Sequence, residues 1–305
     1  MPFLKNKIKK IKSPVQLPED QRIADEWQIL NRAWWESNPM RYDWKEKLKN
    51  AAGTTAYFDE IDHRFLESVK HYMPWREKPF DHLIDFSELK NKKVLEIGVG
   101  HGYHAELLAS SSNAYVGIDL TKTATTMTQR RLALKKISGE VIQMDAEKMG
   151  FEDHSFDLIW SWGVIHHSSN PLKILQQMHR VLKPQGTATI MIYHRTFWSY
   201  QIAGLIYGIR SGLFFKGGSL NEAVQASTDG AIARYYQTRE WKKLCSGLFF
   251  VTHSEVRGLK STVIPLPFSR LKKILEKNIP DAVTRFLTNT LGLGSFLILQ
   301  MKRCD

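Results

Sequence analysis

A chain of 305 residues with 43% hydrophobic content is long enough to bury one large core, alone or with a subdomain. Its two cysteines, Cys245 and Cys304, exclude a disulfide framework and a C-x-x-C metal pattern, and fit a reducing, cytoplasmic setting. With 43 Lys+Arg against 31 Asp+Glu the net charge is +12, which favours anionic partners: nucleic acid, an acidic lipid surface, or phosphorylated and carboxylated substrates.

Residues 1–18 read as a basic tail. Five lysines fall within the first thirteen positions, with Leu4, Ile8 and Ile11 at one-face helical spacing, and Pro14 and Pro18 close the segment. No apolar run follows the lysines, so it is not a secretory signal. Basic amphipathic segments can lie on an anionic membrane, which makes the protein peripheral to one in that reading. A helix this short is marginal in water, and a solvated tail is the alternative. Residues 19–89 form an extension carrying Trp27, Trp34, Trp35, Trp44 and Trp75. Helices are expected over 26–35 and over 57–72, the latter with Phe58, Ile61, Phe65, Val69 and Tyr72 at helical spacing. Between them lies an aromatic and charged loop, 38–44, containing Tyr42 and Trp44.

Residues 90–195 have the grammar of a ligand-binding α/β unit. The run 94–104, VLEIGVGHGYH, is an apolar strand, a turn with Gly98, Gly100 and Gly102, and a helix start. Alternate glycines permit backbone conformations closed to other residues and let a ligand sit against the main chain. The spacing is G-x-G-x-G rather than the G-x-G-x-x-G of dinucleotide sites, which points to a cofactor without a pyrophosphate. A second buried strand, 114–119, ends in Asp119, placed to accept both hydroxyls of a ribose. A third, 139–146, carries Asp145, placed for the exocyclic amine of an adenine. A fourth, 156–162, runs into Gly163-Val164-Ile165-His166-His167, and a helix near 172–181 leads through Lys183-Pro184-Gln185-Gly186 to a fifth strand, 187–193.

Beyond it, 197–215 is apolar nearly all round but broken by Arg210 and three glycines, too interrupted for a transmembrane span. A lid or buried helix is expected there, with a membrane-interface helix as the alternative. Residues 219–236, including Thr228-Asp229-Gly230, read as a helix and loop completing an insertion over 196–245. Thr238 is a candidate helix N-cap. Strands over 249–256 and 295–301 fall in the last segment, 246–305, with a loop at 258–261 and 265–267 and a basic helix near 269–277.

The segments LEIGVGHG, GIDL, MDAEKMGFEDHSFDLIWSWGVIHH and RVLKPQG, in that order, resemble the class I S-adenosylmethionine-dependent methyltransferases. That broad group includes the ubiquinone/menaquinone C-methyltransferases and many small-molecule enzymes. The resemblance covers about residues 90–195. It implies a Rossmann-like seven-stranded sheet, mostly parallel with an antiparallel last strand and helices on both faces. It implies S-adenosylmethionine as cofactor, S-adenosylhomocysteine as product, and a cofactor site drawn from Glu96, Gly98, Gly100, Gly102, Asp119, Leu120, Asp145, Ala146 and Trp162. Tyr42 joins that set, since the segment before the first strand commonly folds over the cofactor and a π-face attracts a sulfonium. By the same analogy the insertion after the fifth strand builds the wall that selects the acceptor.

Methyl transfer needs in-line positioning and exclusion of water, and a general base only when the acceptor must lose a proton. His166 and His167, past the fourth strand, and His194, past the fifth, are the candidates at the ligand edge. Adjacent side chains on a turn diverge, so one of the pair is expected to face the pocket. No metal is expected: His101 and His104 sit on the cofactor loop and no cysteine or carboxylate completes a ligand set. A small-molecule or lipid-linked acceptor, methylated on oxygen or carbon, is favoured by the apolar insertion and aromatic extension. RNA or protein methylation is the alternative that the charge supports, although Ser161-Trp162-Gly163-Val164 replaces the N-P-P-Y type motif and no RNA-binding module is evident. A non-catalytic cofactor-binding regulator is the third class. Neither the acceptor nor the oligomeric state is legible in the chain.

Overall fold

The computed structural model describes residues 11–43, 46–264 and 270–305. Trp44, most of the basic tail and the loop at 265–267 therefore lie outside the described residues. The extension contributes α1 (Gln21–Ser37), started by the Asp20 carboxylate accepting from the Ile23 amide, and α2 (Thr55–Tyr72), started by Thr54 on the Tyr57 amide. Both run further than the spacing predicts, because their first turns are set by these caps and not by apolar residues. A 3₁₀ turn over Phe86–Asn91 leads into the central unit.

That unit alternates β1 (Lys93–Ile97), α3 (Tyr103–Ser111), β2 (Ala114–Asp119), α4 (Lys122–Lys135), β3 (Glu140–Gln143), β4 (Phe156–Trp162), α5 (Pro171–Val181) and β5 (Leu182–Tyr193). After it come α6 (Ala203–Arg210), α7 (Leu220–Ser227), α8 (Thr238–Leu244), β6 (Phe249–Arg257), α9 (Lys260–Val263), α10 (Arg270–Asn278), α11 (Asp281–Arg285) and β7 (Phe296–Arg303). The seven strands form one sheet in the order 3-2-1-4-5-7-6. β1 to β5 are parallel, and β7 runs antiparallel to both β5 and β6. This is the expected Rossmann-like sheet. Its strand order reverses between β1 and β4, and ligands of open α/β sheets bind at the carboxyl ends beside such a point.

Both faces of the parallel strands are buried, as their continuous apolar runs require. Leu95, Ile159 and Ile190 face a core shared with Leu175, Met178 and Trp241, while Val94, Leu158 and Trp160 face Phe65, Phe80 and Leu108. α5 shows how sequence sets this packing: Pro171 fits its first turn, and Ile174, Leu175, Met178 and Val181 make the buried stripe.

Some expected boundaries shift. β5 begins at Leu182, not 187: Leu182 pairs with Phe156 and Thr187 with Leu158, so residues 183–186 bulge out of a ladder that continues on either side. β3 is shorter and leaves Asp145 in the turn beyond it. The N-cap of α8 is Gln237, one residue before Thr238, because Gln237 and Glu240 close a reciprocal capping box. The stretch near 258–261 turns helical at Lys260–Val263. The apolar segment after β5 is a π-helical turn, Phe197–Ile202, running into α6, and a 3₁₀ turn at Phe214–Lys216. Among the described residues no helix is long and apolar enough to cross a membrane.

A buried guanidinium ties α2 of the extension to the central unit. Arg131, on α4, is fully buried and lies over the rings of Phe58 and Tyr103. It donates through both terminal nitrogens to Asp62 of α2, at 2.8 and 2.5 Å, and through Nε to Glu106 of α3 at 2.8 Å. Removing one partner of a buried ion pair leaves a desolvated charge behind. Asp62→Ala should therefore lower unfolding free energy by about 3 kcal/mol. Urea denaturation checks this, and a loss below about 0.5 kcal/mol, the scale of an ordinary surface change, would remove the pair from its structural role.

Candidate active site

The glycine turn after β1 is where the sheet's carboxyl edge opens. Gly98, Gly100 and Gly102 all adopt positive φ, at 85°, 54° and 80°. Their surroundings differ. A Cβ on Gly98 would fall 2.2 Å from the Val164 side chain, and one on Gly102 would press on Thr128 and Arg131 at about 3 Å. These two glycines admit neighbouring protein. A Cβ on Gly100 would meet nothing within 4 Å, so this glycine alone fronts open space. The expectation that all three make room for ligand thus holds its geometric basis at Gly100 only.

Asp119, ending β2, faces that space. Its Oδ2 accepts from the Gly100 amide at 3.3 Å, and its Oδ1 accepts from the Thr121 amide and hydroxyl at 2.9 and 2.8 Å. Burial raises its carboxyl above the usual range despite these bonds. Leu120 follows, its carbonyl accepting from Gln143. Asp145 accepts from the Glu147 amide and from Gln28 of α1 at 2.8 Å, and Ala146 packs on the core beneath. Glu36, also on α1, accepts from the Lys122 and Thr123 amides at the positive end of α4. Together Gln28 and Glu36 fix α1 across the edge formed by β2 and β3.

Other expected cofactor residues sit lower or to one side. Glu96 is buried under the loop, accepting from the Tyr115 hydroxyl at 2.5 Å, and burial pushes its carboxyl up to about 8. Trp162 stacks on Trp160 and packs on Phe80 and His104. Tyr42 holds φ of 55°, unusual outside glycine, with its ring against Phe65. Burial and the charge of Asp229 raise its hydroxyl above the ordinary value.

The three histidines separate. His194 is turned to the last strands, with Nδ1 on the Gly294 carbonyl. His167 binds the Ile232 carbonyl and meets the edge of Trp35. His166 is fully buried between His167 and Tyr193, with ring centroids at 4.1 and 3.9 Å, and neither ring nitrogen has a hydrogen-bond partner. Burial, with Arg234 nearby, drives it well below the ordinary histidine value, so this imidazole is neutral at physiological pH.

Sequence reasoning missed the groups around it. Tyr193, the last residue of β5, donates to Asp229 at 2.7 Å, and its ring meets Tyr235, which meets Tyr200. Arg234 is fully buried and donates to the carbonyls of Gln16, Ser168 and Ser169. Buried Glu147 gathers Ser168, Ser169 and the Asn170 amide. The Thr228-Asp229-Gly230 turn was the available signal for Asp229. Nothing local marks Arg234. Residues 231–236, all buried, run beside β5 through the amide bonds of Arg234 to His166 and of Tyr236 to Tyr193.

S-adenosylmethionine fits the residues present. The open space at Gly100 is bordered by an acid suited to a ribose, with a second acid after β3 for the base. Among the described residues no cluster of three or more His, Cys, Asp or Glu is placed to hold a metal.

Residues 95–190 match the family model described as Methyltransferase domain. The chain thus carries a class I S-adenosylmethionine-dependent methyltransferase domain on its Rossmann-like sheet. It is 27% identical over 172 residues to the tRNA U34 carboxymethyltransferase of Methylococcus capsulatus, covering 48% of this chain and 52% of that protein. It is 35% identical over 101 residues to phthiotriol/phenolphthiotriol dimycocerosates methyltransferase 1 of Mycobacterium ulcerans, covering 32% and 36%. The chain spans about half the length of the first of these curated relatives, and about a third of the second. Among solved structures, an S-adenosylmethionine-dependent methyltransferase of Mesorhizobium loti aligns over 71% of this chain and 93% of its own, at 16% identity and a TM-score of 0.45.

The raised Glu96 carboxyl has a measurable consequence. The unfolded chain releases this proton near 4.5 and the native protein near 8, so between those values the native state holds the extra proton. Stability from this group is therefore lost as pH rises from about 4.5 to 8 and is level above. Glu96→Gln keeps an acceptor for Tyr115 and should gain on the wild type across that window, by about 5 kcal/mol at its top. Denaturation midpoints at pH 5 and pH 8 check this. A gap that does not widen would show that Glu96 is ionised in the native protein.

Proposed function

We propose that this protein is an S-adenosylmethionine-dependent methyltransferase whose acceptor is a small or lipid-linked molecule, bound at its reacting end beside Tyr193, Asp229 and His166. The observation that carries the reading is the enclosed polar cluster at the carboxyl ends of β4 and β5. It holds a neutral, partnerless histidine and a tyrosine–carboxylate pair beneath buried residues 231–236. Such closure excludes water and suits an acceptor that enters whole or by one end. The likeness to a Mycobacterium ulcerans enzyme named for methylating phthiotriol dimycocerosates adds support for a lipid-linked acceptor.

In this reading the Gly100 backbone, Asp119 and Asp145 hold the cofactor, with Tyr42 and Trp162 bordering its methionine half. When bound, the cofactor supplies a methyl group activated by a positively charged sulfur. Tyr193 and Asp229 orient the acceptor. Where the acceptor is a hydroxyl or an acidic carbon, Asp229, already accepting from the Tyr193 hydroxyl, takes the proton. His166 stays neutral and offers one ring nitrogen as a hydrogen-bond partner. Burial holds it well below the ordinary histidine value, so in this reading it positions the acceptor rather than serving as the base expected of it from sequence. His167 and His194, tied to backbone carbonyls, orient loops.

A second reading keeps the chemistry and changes the acceptor to RNA. Several relatives are named tRNA U34 carboxymethyltransferases, and the +12 charge suits a polyanion. Turnover on a tRNA pool against quinone, phenol and polar-lipid pools separates the two.

Gly100→Ala adds a Cβ in open space at positive φ. It should cost about 1–2 kcal/mol of stability, while calorimetry finds S-adenosylmethionine binding abolished. Wild-type affinity in that variant would sink the cofactor assignment. Asp229→Asn should leave cofactor affinity unchanged and cut turnover by roughly 10²–10⁴-fold on a proton-losing acceptor. Unchanged turnover would mean that positioning alone drives the transfer.

A further inference from the structure

α10 is folded inside out. Its sequence, RLKKILEKN, places Leu271, Ile274 and Leu275 on one face, spaced i, i+3 and i+4, and a helix lying on a soluble protein turns such a stripe inward. Here the stripe faces outward, with Leu271 57% and Ile274 56% exposed. The face turned inward is charged: Lys272 is buried, donates to the Ser261 carbonyl of α9, and pairs with Glu276.

A second apolar surface lies next to it. The Trp198 indole donates to the Val263 carbonyl at the end of α9, which joins the Phe197–Arg210 helix to the same support. That helix turns Tyr200 inward to the tyrosine cluster and presents Phe197, Leu205 and Ile209 to the outside, followed by Phe215 at 84% exposure. The cations flanking both surfaces are exposed: Arg270, Lys273 and Lys277 on α10, Arg210 at the end of α6 and Lys216 beyond it. The single acid of α10 is the one turned inward.

We infer that this face, α10 together with the outer side of α6 and Phe215, is a docking surface for an anionic lipid bilayer. Aliphatic side chains lying outward between lysines and arginines match the boundary between acyl chains and negatively charged headgroups. Another protein surface would have to supply a groove and carboxylates together, and a second copy of this +12 chain would bring like charge. The inference stands apart from the acceptor, since vesicle binding is read without turnover.

The test is co-sedimentation of the full chain with vesicles of phosphatidylcholine alone and of phosphatidylcholine with phosphatidylglycerol. Partition to the anionic vesicles only, weakening with salt, is expected. Leu271→Gln with Ile274→Gln should reduce it at least about tenfold while the melting temperature stays close to the wild-type value, since both residues are more than half exposed. Lys273→Gln with Lys277→Gln should flatten the salt dependence. Three results would overturn the inference: no binding by the full chain, binding unaffected by the apolar substitutions, or a dimer in light scattering that those substitutions dissociate without any effect on vesicles.

Discussion

A guanidinium without access to water has to find its counter-charges inside the protein, and Arg131 finds them on two other helices. Asp62 comes from the extension and Glu106 from the helix that follows the glycine turn, so a single residue of α4 fixes both against it. The same guanidinium reaches the His101 carbonyl inside the turn, and Tyr57, on the same helix as Asp62, meets the His101 ring. The glycine turn therefore takes its shape partly from residues that precede it by some forty positions. A loop of glycines alone has too much freedom to hold one conformation; these contacts remove that freedom.

Arg234 performs a comparable task on the acceptor side with different chemistry. Among the described residues its hydrogen bonds go to the carbonyls of Gln16, before α1, and of Ser168 and Ser169, in the turn after β4, while Glu147 supplies negative charge nearby. Burial accordingly lowers its basicity, where the carboxylates around Arg131 raise that of the latter. A charged group held by backbone carbonyls fixes three stretches of chain at once. Those stretches are the ones that close over His166 and Tyr193.

What could be read in the sequence follows from range. The glycine turn, Asp119 and Asp145 are legible because a strand ending in an acid is a local pattern, and the parallel sheet follows from its repetition. Which glycine faces ligand is not local: Gly98 is set by Val164 and Gly102 by Thr128, both distant in sequence. His166 was visible as a histidine after a strand, but its neutrality depends on burial under residues more than sixty positions later. The Arg131–Asp62 and Arg234–Gln16 contacts join residues 69 and 218 positions apart and leave no periodic trace. For α10, spacing marks an amphipathic helix and is silent on which face meets water.

The site divides along the line where the strand order reverses. On the β1–β3 side, backbone amides, Asp119 and Asp145 present fixed polar atoms in a pattern that depends little on what is methylated. On the β4–β5 side, His166 and Glu147 lie within residues 95–190, while Tyr42, Tyr193, Asp229 and Arg234 come from the extension, the end of β5 and the insertion after it. In the proposed reading acceptor choice is encoded in Tyr42, Tyr193, Asp229, the helical turn that carries Tyr200 and the segment that carries Tyr235, all outside residues 95–190. The outward apolar faces also lie outside residues 95–190, one on the insertion after β5 and one on α10, between β6 and β7. The insertion after β5 thus supplies both an inner aromatic wall, at Tyr200 and Tyr235, and an outer apolar face, at Phe197, Leu205, Ile209 and Phe215.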